Sequence, residues 1–143
     1  MRNLIYIFII LLFFSCKKAD TLSMFPVIEF QEINPSMAQE YVDEITINIS
    51  YSDSDGDLGE NSPDVYNLFV LDNRNGIEYK FRIPELSPSG SEIAIEGNFN
   101  IKINGSGITN SSMSQQVNYS IYVIDRAGNP SNSIATSSIT IYQ

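Results

Sequence analysis

From residue 25 onward, apolar and polar residues alternate with a period of two, the spacing of strands that bury one face. Ile45, Ile47, Ile49 and Tyr51 alternate with Thr46, Asn48 and Ser50. Ile77, Tyr79, Phe81 and Ile83 alternate with charged residues, and Val117, Tyr119, Ile121 and Val123 alternate with polar or half-polar ones. Phe25 to Phe30 predicts a short first strand, and Pro26 suits its start. Tyr66 to Asp72 is mostly apolar and predicts a central strand. Asn73-Arg74-Asn75-Gly76 follows as a hairpin turn, with Asn-Gly the strongest local cue. Ile93 to Ile103 predicts a long strand with a bulge or bend at Gly97. The last strand is expected over about Ile134 to Tyr142. Glu32 to Glu44 is the one stretch with room for a helical turn. Loops rich in Pro, Gly, Ser and Asn separate these runs at 84–91 and 104–114. Seven strands with turns between them predict an all-β, single-domain antiparallel β-sandwich over 25–143.

The N-terminus follows a different pattern. Leu4 to Phe14 is an unbroken apolar run after Arg2. It is shorter than the roughly 20 residues a spanning helix needs, and it fits the apolar region of a signal peptide. The expected organisation is a signal peptide over 1–15, Cys16 with a tether over 16–24, and the sandwich. The chain of 143 residues has one cysteine, no histidine and no tryptophan. Ser-His-Asp and Cys-His nucleophilic machinery, His-ligated zinc and cysteine-cluster metal sites are therefore excluded. A net charge of −9 makes nucleic acid a poor partner.

Ser15-Cys16 directly after the apolar run resembles the lipobox of bacterial lipoproteins, in which the cysteine is acylated and becomes the new N-terminus. Phe13 and Phe14 depart from that family's usual Leu followed by a small residue. With the acidic loop and the final hairpin described below, the pattern resembles Bacteroidetes-type lipoproteins. The resemblance implies lipidation at Cys16, a fatty-acyl membrane anchor and placement at the outer membrane, because Lys17 replaces the aspartate of an inner-membrane retention signal. The periplasmic and surface faces both stay open. The alternative for this segment is an ordinary secretory signal with an incidental cysteine.

Tyr119 to Ser131, with Tyr119, Ile121, Val123, Asp125, Gly128, Asn129 and Ser131 at the matching positions, resembles the last hairpin of bacterial Ig-like and fibronectin-III-like domains. The resemblance implies an Ig-like sandwich in which Tyr119 is a tyrosine-corner residue, its hydroxyl tied to nearby backbone. The cysteine pair and tryptophan of antibody domains are missing.

Asp53-Ser54-Asp55-Gly56-Asp57-Leu58-Gly59-Glu60 is the densest polar feature. Carboxylates at alternate positions of a Gly-containing loop can turn toward one centre, and such hard oxygen donors suit Ca²⁺. An EF-hand is rejected, since Leu58 stands where its glycine is needed and Asp64 where its glutamate is. The loop also looks like those of cadherin-like calcium-binding sandwiches, which implies Asp53, Asp55 and Asp57 as ligands. If the strands run up and down, the loops 52–65, 84–91 and 125–133 and the start of the first strand share one end. Asp125 then lies near the aspartates, and Glu60 or Asp64 could complete the shell. The competing reading is a solvated acidic turn, with Asp125 in an Asx-type turn of its own.

Paired carboxylates could also serve a hydrolase, but nothing in the sequence predicts a dry concave site. Tyr41, Tyr66 or Tyr122 could stack on sugars, although tyrosine on a strand more often packs. The expectation is a non-enzymatic interaction or structural module of the cell envelope, with an envelope protein or a glycan as partner. A glycan-binding module and, less favoured, a carboxylate-dependent hydrolase accessory are the alternatives.

Overall fold

The computed structural model describes residues 23–143, so the expected signal peptide, Cys16 and most of the tether lie outside the described residues. The predicted strands are β1 (Val27–Asn34), β3 (Ile45–Asp53), β4 (Leu68–Asp72), β5 (Glu78–Phe81), β6 (Ile95–Ile103), the pair β7 (Ser114–Val117) and β8 (Tyr119–Val123), and the pair β9 (Ile134–Ala135) and β10 (Ile139–Tyr142). One strand is additional: β2 (Met37–Gln39) occupies the stretch expected to hold a helical turn. It forms because Met37–Gln39 finds a ready edge in β10, which outweighs a lone turn of helix. What remains of the turn is the Gln39 carbonyl, which accepts from the Asp43 N–H at 3.1 Å and the Val42 N–H at 3.3 Å.

One sheet has the order β1-β3-β6 and the facing sheet the order β5-β4-β8-β9. A third ladder, β2-β10-β7, extends the second sheet because both of its long strands change partner midway. Up to Val117 the chain pairs with β10, and from Tyr119 it pairs with β4. The expected all-antiparallel pairing has one exception, the parallel ladder of β2 with β10. The architecture is the expected all-β sandwich.

The alternating residues read from the sequence supply its interior. Ile45, Ile47 and Ile49 on β3 and Ile101 and Ile103 on β6 join Leu68, Val70, Ile121, Val123 and Ile141 in one buried cluster. Burying a side chain of this size stabilises by roughly 1.5–3 kcal/mol, so this aliphatic stack dominates folding. Among the described residues the cluster runs from Ile28 to Ile141.

Gly97 is not a bulge. The β3–β6 register runs unbroken from Ile45↔Ile103 to Asp53↔Ile95, and the irregularity falls instead on β1 between Phe30 and Glu32. Gly97 lies opposite Tyr51, and a Cβ there would meet the Tyr51 hydroxyl at 2.7 Å. The missing side chain makes room for the Tyr51 ring, which stacks on Phe99 at 4.3 Å between centroids.

The two sides of the sandwich differ. On one, the Asn132 side chain accepts from the Ile28 N–H (2.9 Å) and donates to the Ile28 carbonyl (2.8 Å), lacing β1 to the segment before β9. On the other, the outer strands β6 and β5 leave an open cleft of about 320 Å³ lined by Leu68, Phe81, Pro84, Phe99 and Ile101.

At the end of β4, Arg74 folds back on Asp72 with bonds of 2.7 and 3.0 Å, while its other nitrogen reaches the Gly107 carbonyl. Tyr119 is fully buried beside this pair. Its hydroxyl meets the Ser106 hydroxyl at 3.3 Å, a side chain 13 residues upstream and not the backbone that a tyrosine corner implies. Burial pushes the Tyr119 phenol up to about 12, opposed by the Ser106 contact.

Candidate metal centre

The acidic loop begins inside the sheet. Asp53 is the last residue of β3 and is only 2 % exposed. One of its oxygens, Oδ2, accepts the Leu58 N–H at 2.7 Å. Leu58 is itself completely buried, so an apolar anchor and a charge-assisted hydrogen bond close the loop at the same point. Gly56 turns the chain between them with φ of 73°, and a Cβ there would lie 1.9 Å from the Ile93 carbonyl. Only glycine satisfies both the left-handed backbone and that close approach.

Two further loops hold the first. Ser87 donates to the Gly56 carbonyl at 2.5 Å. The Arg126 N–H donates to the Asp57 carbonyl at 3.1 Å, and the Ala127 N–H to Asp57 Oδ2 at 3.2 Å. The Arg126 guanidinium ties all three segments together, bonding Glu85 at 2.9 Å, the Ser87 carbonyl at 3.1 Å and the Gly56 carbonyl at 3.2 Å. The Asn129 amide reaches the Met24 carbonyl at 3.4 Å, which puts the entry of the chain at this end as well. The expected gathering of the three loops and the strand start is therefore present. Arg126 was legible only as part of a hairpin motif; its clamping role needs the tertiary contacts.

One carboxylate oxygen from each of Asp53, Asp55 and Asp57 lies within 4.8 Å of the others. The Oδ1 atoms of all three are buried and have no hydrogen-bond partner. An orphaned buried carboxylate oxygen costs about 1–3 kcal/mol or more, and three like charges add repulsion. The electrostatics record that cost. Burial first, and then Asp55 and Asp57, push the Asp53 carboxyl up to about 6, although the Leu58 N–H works against them. Asp57 is pushed up by burial and by Asp125 and Asp55, against the Ala127 N–H and Arg126.

The other predicted ligands are placed differently. Asp125 lies close enough to raise the Asp57 carboxyl, but both its oxygens accept bonds from Asn129, 2.7 Å from the backbone N–H and 3.0 Å from the side-chain amide. It caps its own hairpin loop at a reach of four residues, longer than the two of an Asx turn. Glu60, which accepts the Ser62 N–H at 3.0 Å, and the exposed Asp64 lie outside the group of three converging carboxylates. Beside the aspartates lies an open cleft of about 660 Å³, lined by Met24, Asp55, Asp57, Ser91 and Arg126.

The arrangement can hold a hard cation. Three carboxylate oxygens spread over no more than 4.8 Å fit within one Ca²⁺ sphere, where ligands sit at about 2.3–2.6 Å. The cleft leaves room for water to fill the remaining positions. The spacing is shorter than the roughly 5–9.5 Å that separates the paired carboxyls of a glycosidase. The tyrosines considered for sugar stacking do not share a platform. Tyr41 packs its ring over Gly107, Tyr66 precedes the opposite end of β4, and Tyr122 is stacked on Phe69. No protein-family model, curated protein or solved structure matches this chain.

Proposed function

We propose that this chain is a lipid-anchored, non-enzymatic interaction or structural module of the cell envelope, with a Ca²⁺ ion bound by Asp53, Asp55 and Asp57 at one end of its sandwich. The observation that carries the metal is the convergence of three carboxylates, each with a buried and unpartnered Oδ1, on a loop clamped from two sides. A bound cation removes their repulsion and supplies the missing partner, so it stabilises the folded state. The anchor rests on the sequence pattern around Cys16, with the outer membrane as its location and an envelope protein as the partner class.

The test is thermal unfolding of residues 19–143 in EDTA, in millimolar Ca²⁺ and in millimolar Mg²⁺. At 100 times its dissociation constant a specific ion contributes about 2.7 kcal/mol, several degrees in Tm for a domain of this size. A calcium-selective rise that disappears in Asp55→Asn supports the site. Equal curves in all three conditions return the loop to an acidic turn. Acylation at Cys16 is read separately, by mass spectrometry of the membrane fraction, and an unmodified Cys16 thiol would remove the anchor.

A further inference from the structure

The outer edge of β6 has no strand beside it among the described residues, while its inner edge is fully paired with β3 over nine residues. Long, regular edges of this kind attract another strand unless something blunts them. β6 contains no proline, and its register with β3 carries no bulge. The cleft beside it is lined by Phe81, Phe99 and Ile101 together with Arg82, Asn100 and Lys102, so a mixed apolar and polar surface continues past the edge.

We propose that this edge pairs with a second copy of the same chain, antiparallel, with Phe99 opposite Phe99 on the two-fold axis. The sequence Ile95-Glu96-Gly97-Asn98-Phe99-Asn100-Ile101-Lys102-Ile103 is complementary to its own reverse. In this register Glu96 faces Lys102 of the second copy, and Asn98 faces Asn100. The two-fold axis repeats each pair. Glu96, Asn98, Asn100 and Lys102 are all exposed on the outer face, and Ile95, Gly97, Phe99, Ile101 and Ile103 all face the interior.

The register is selected physically. A slip of one residue would set outward side chains against inward ones. A slip of two sets Lys102 against Asn98 or Ala94 and loses both ion pairs. Lys102 already contacts Glu44 at 2.8 Å, yet its side chain is 60 % exposed and keeps donors for a second carboxylate. The asparagines extend a row that starts inside the chain, where Asn100 lies across from Asn48. The product is a continuous sheet running β1-β3-β6 in one copy and then β6-β3-β1 in the other, joined by an isologous interface. The aspartate loop adjoins the Ile95 end of this edge, where Asp53 lies across from Ile95, but the pairing uses none of its carboxylates.

Sedimentation equilibrium of residues 23–143, which carry all ten described strands, tests the pairing in native form and in three variants. A reversible dimer is expected. Glu96→Lys alone and Lys102→Glu alone each turn two opposed pairs from attractive to repulsive and weaken the dimer by about tenfold or more. The double variant Glu96→Lys/Lys102→Glu restores the pairs with their signs exchanged and recovers the dimer. Thermal unfolding of each variant shows that the fold is intact. A chain that stays monomeric up to about 1 mM overturns the proposal and leaves the edge to a strand from another protein. A dimer indifferent to both single reversals, or a folded double variant that fails to re-associate, overturns this register.

Discussion

Both ends of the sandwich bury an aspartate at the end of a strand, and the two sites solve the same electrostatic problem differently. Asp72 closes β4 and is 1 % exposed; Asp53 closes β3 and is 2 % exposed. Asp72 has its cation two residues away. Arg74 approaches both its oxygens, and the Arg74 N–H caps it at 2.9 Å. Burial weakens the guanidinium's hold on its proton, but the Asp72 pairing prevails and its pKa is raised. Asp53 has one N–H partner and two more carboxylates as neighbours. Arg126 stands close by, but it spends its donors on Glu85 and on two carbonyls. The first end carries its counter-charge in the chain. The second presents the geometry of a site whose counter-charge comes from solution.

Removing the internal cation should produce the largest effect. Arg74→Met strands a buried carboxylate and should cost about 3–5 kcal/mol by denaturant unfolding. Asp72→Asn in the same chain should recover much of that loss, because the stranded charge is then gone. At the other end the corresponding experiment is to add the cation. Calcium should stabilise the native chain by the margin given above and leave Asp55→Asn unmoved.

A smaller effect separates the ends without metal. Asp53→Asn should raise stability in EDTA by about 1 kcal/mol, since it removes a charge from a repelling cluster and keeps an acceptor for the Leu58 N–H. If it destabilises instead, the cluster is already neutralised within the chain and the comparison fails. The most modest signal is in pH. The Asp53 carboxyl moves from an ordinary 3.8 to about 6 in the fold, so the folded state holds this proton more tightly than the unfolded one. Its contribution to the metal-free fold should be most favourable below about 4 and lost as pH rises through about 6. Subtracting the pH profile of Asp53→Asn isolates it. Calcium should reverse the slope, because proton and ion compete for the same oxygens.

The strands were legible where alternation had a long, uninterrupted run, as at Ile45 to Tyr51. Changes of partner were harder to see. Val117 and Tyr119 are both buried, so the alternation passes through Asn118 without a change of phase while the hydrogen bonds move from one ladder to another. Between Thr136 and Ile139 the buried positions are three apart, and that break in period was available to be read. The aspartate loop could be found because its residues are local in sequence. The Asp72–Arg74 pair is equally local, but Arg74 looked like one more turn residue. Its burial depends on Ser106, Gly107 and Gln115 arriving from a distant loop.

The position of Met24 has a mechanical consequence. Any pull transmitted through the preceding chain enters at the aspartate end, where Asn129 holds the Met24 carbonyl, and passes directly into β1. β1 lies along β3 from Val27↔Ser52 to Asn34↔Thr46, and the last residues of β10 leave at the opposite end. A force between that entry and a load held at the far end therefore acts along the strands. It stretches the β1–β3 bonds together in shear and does not peel them open one at a time.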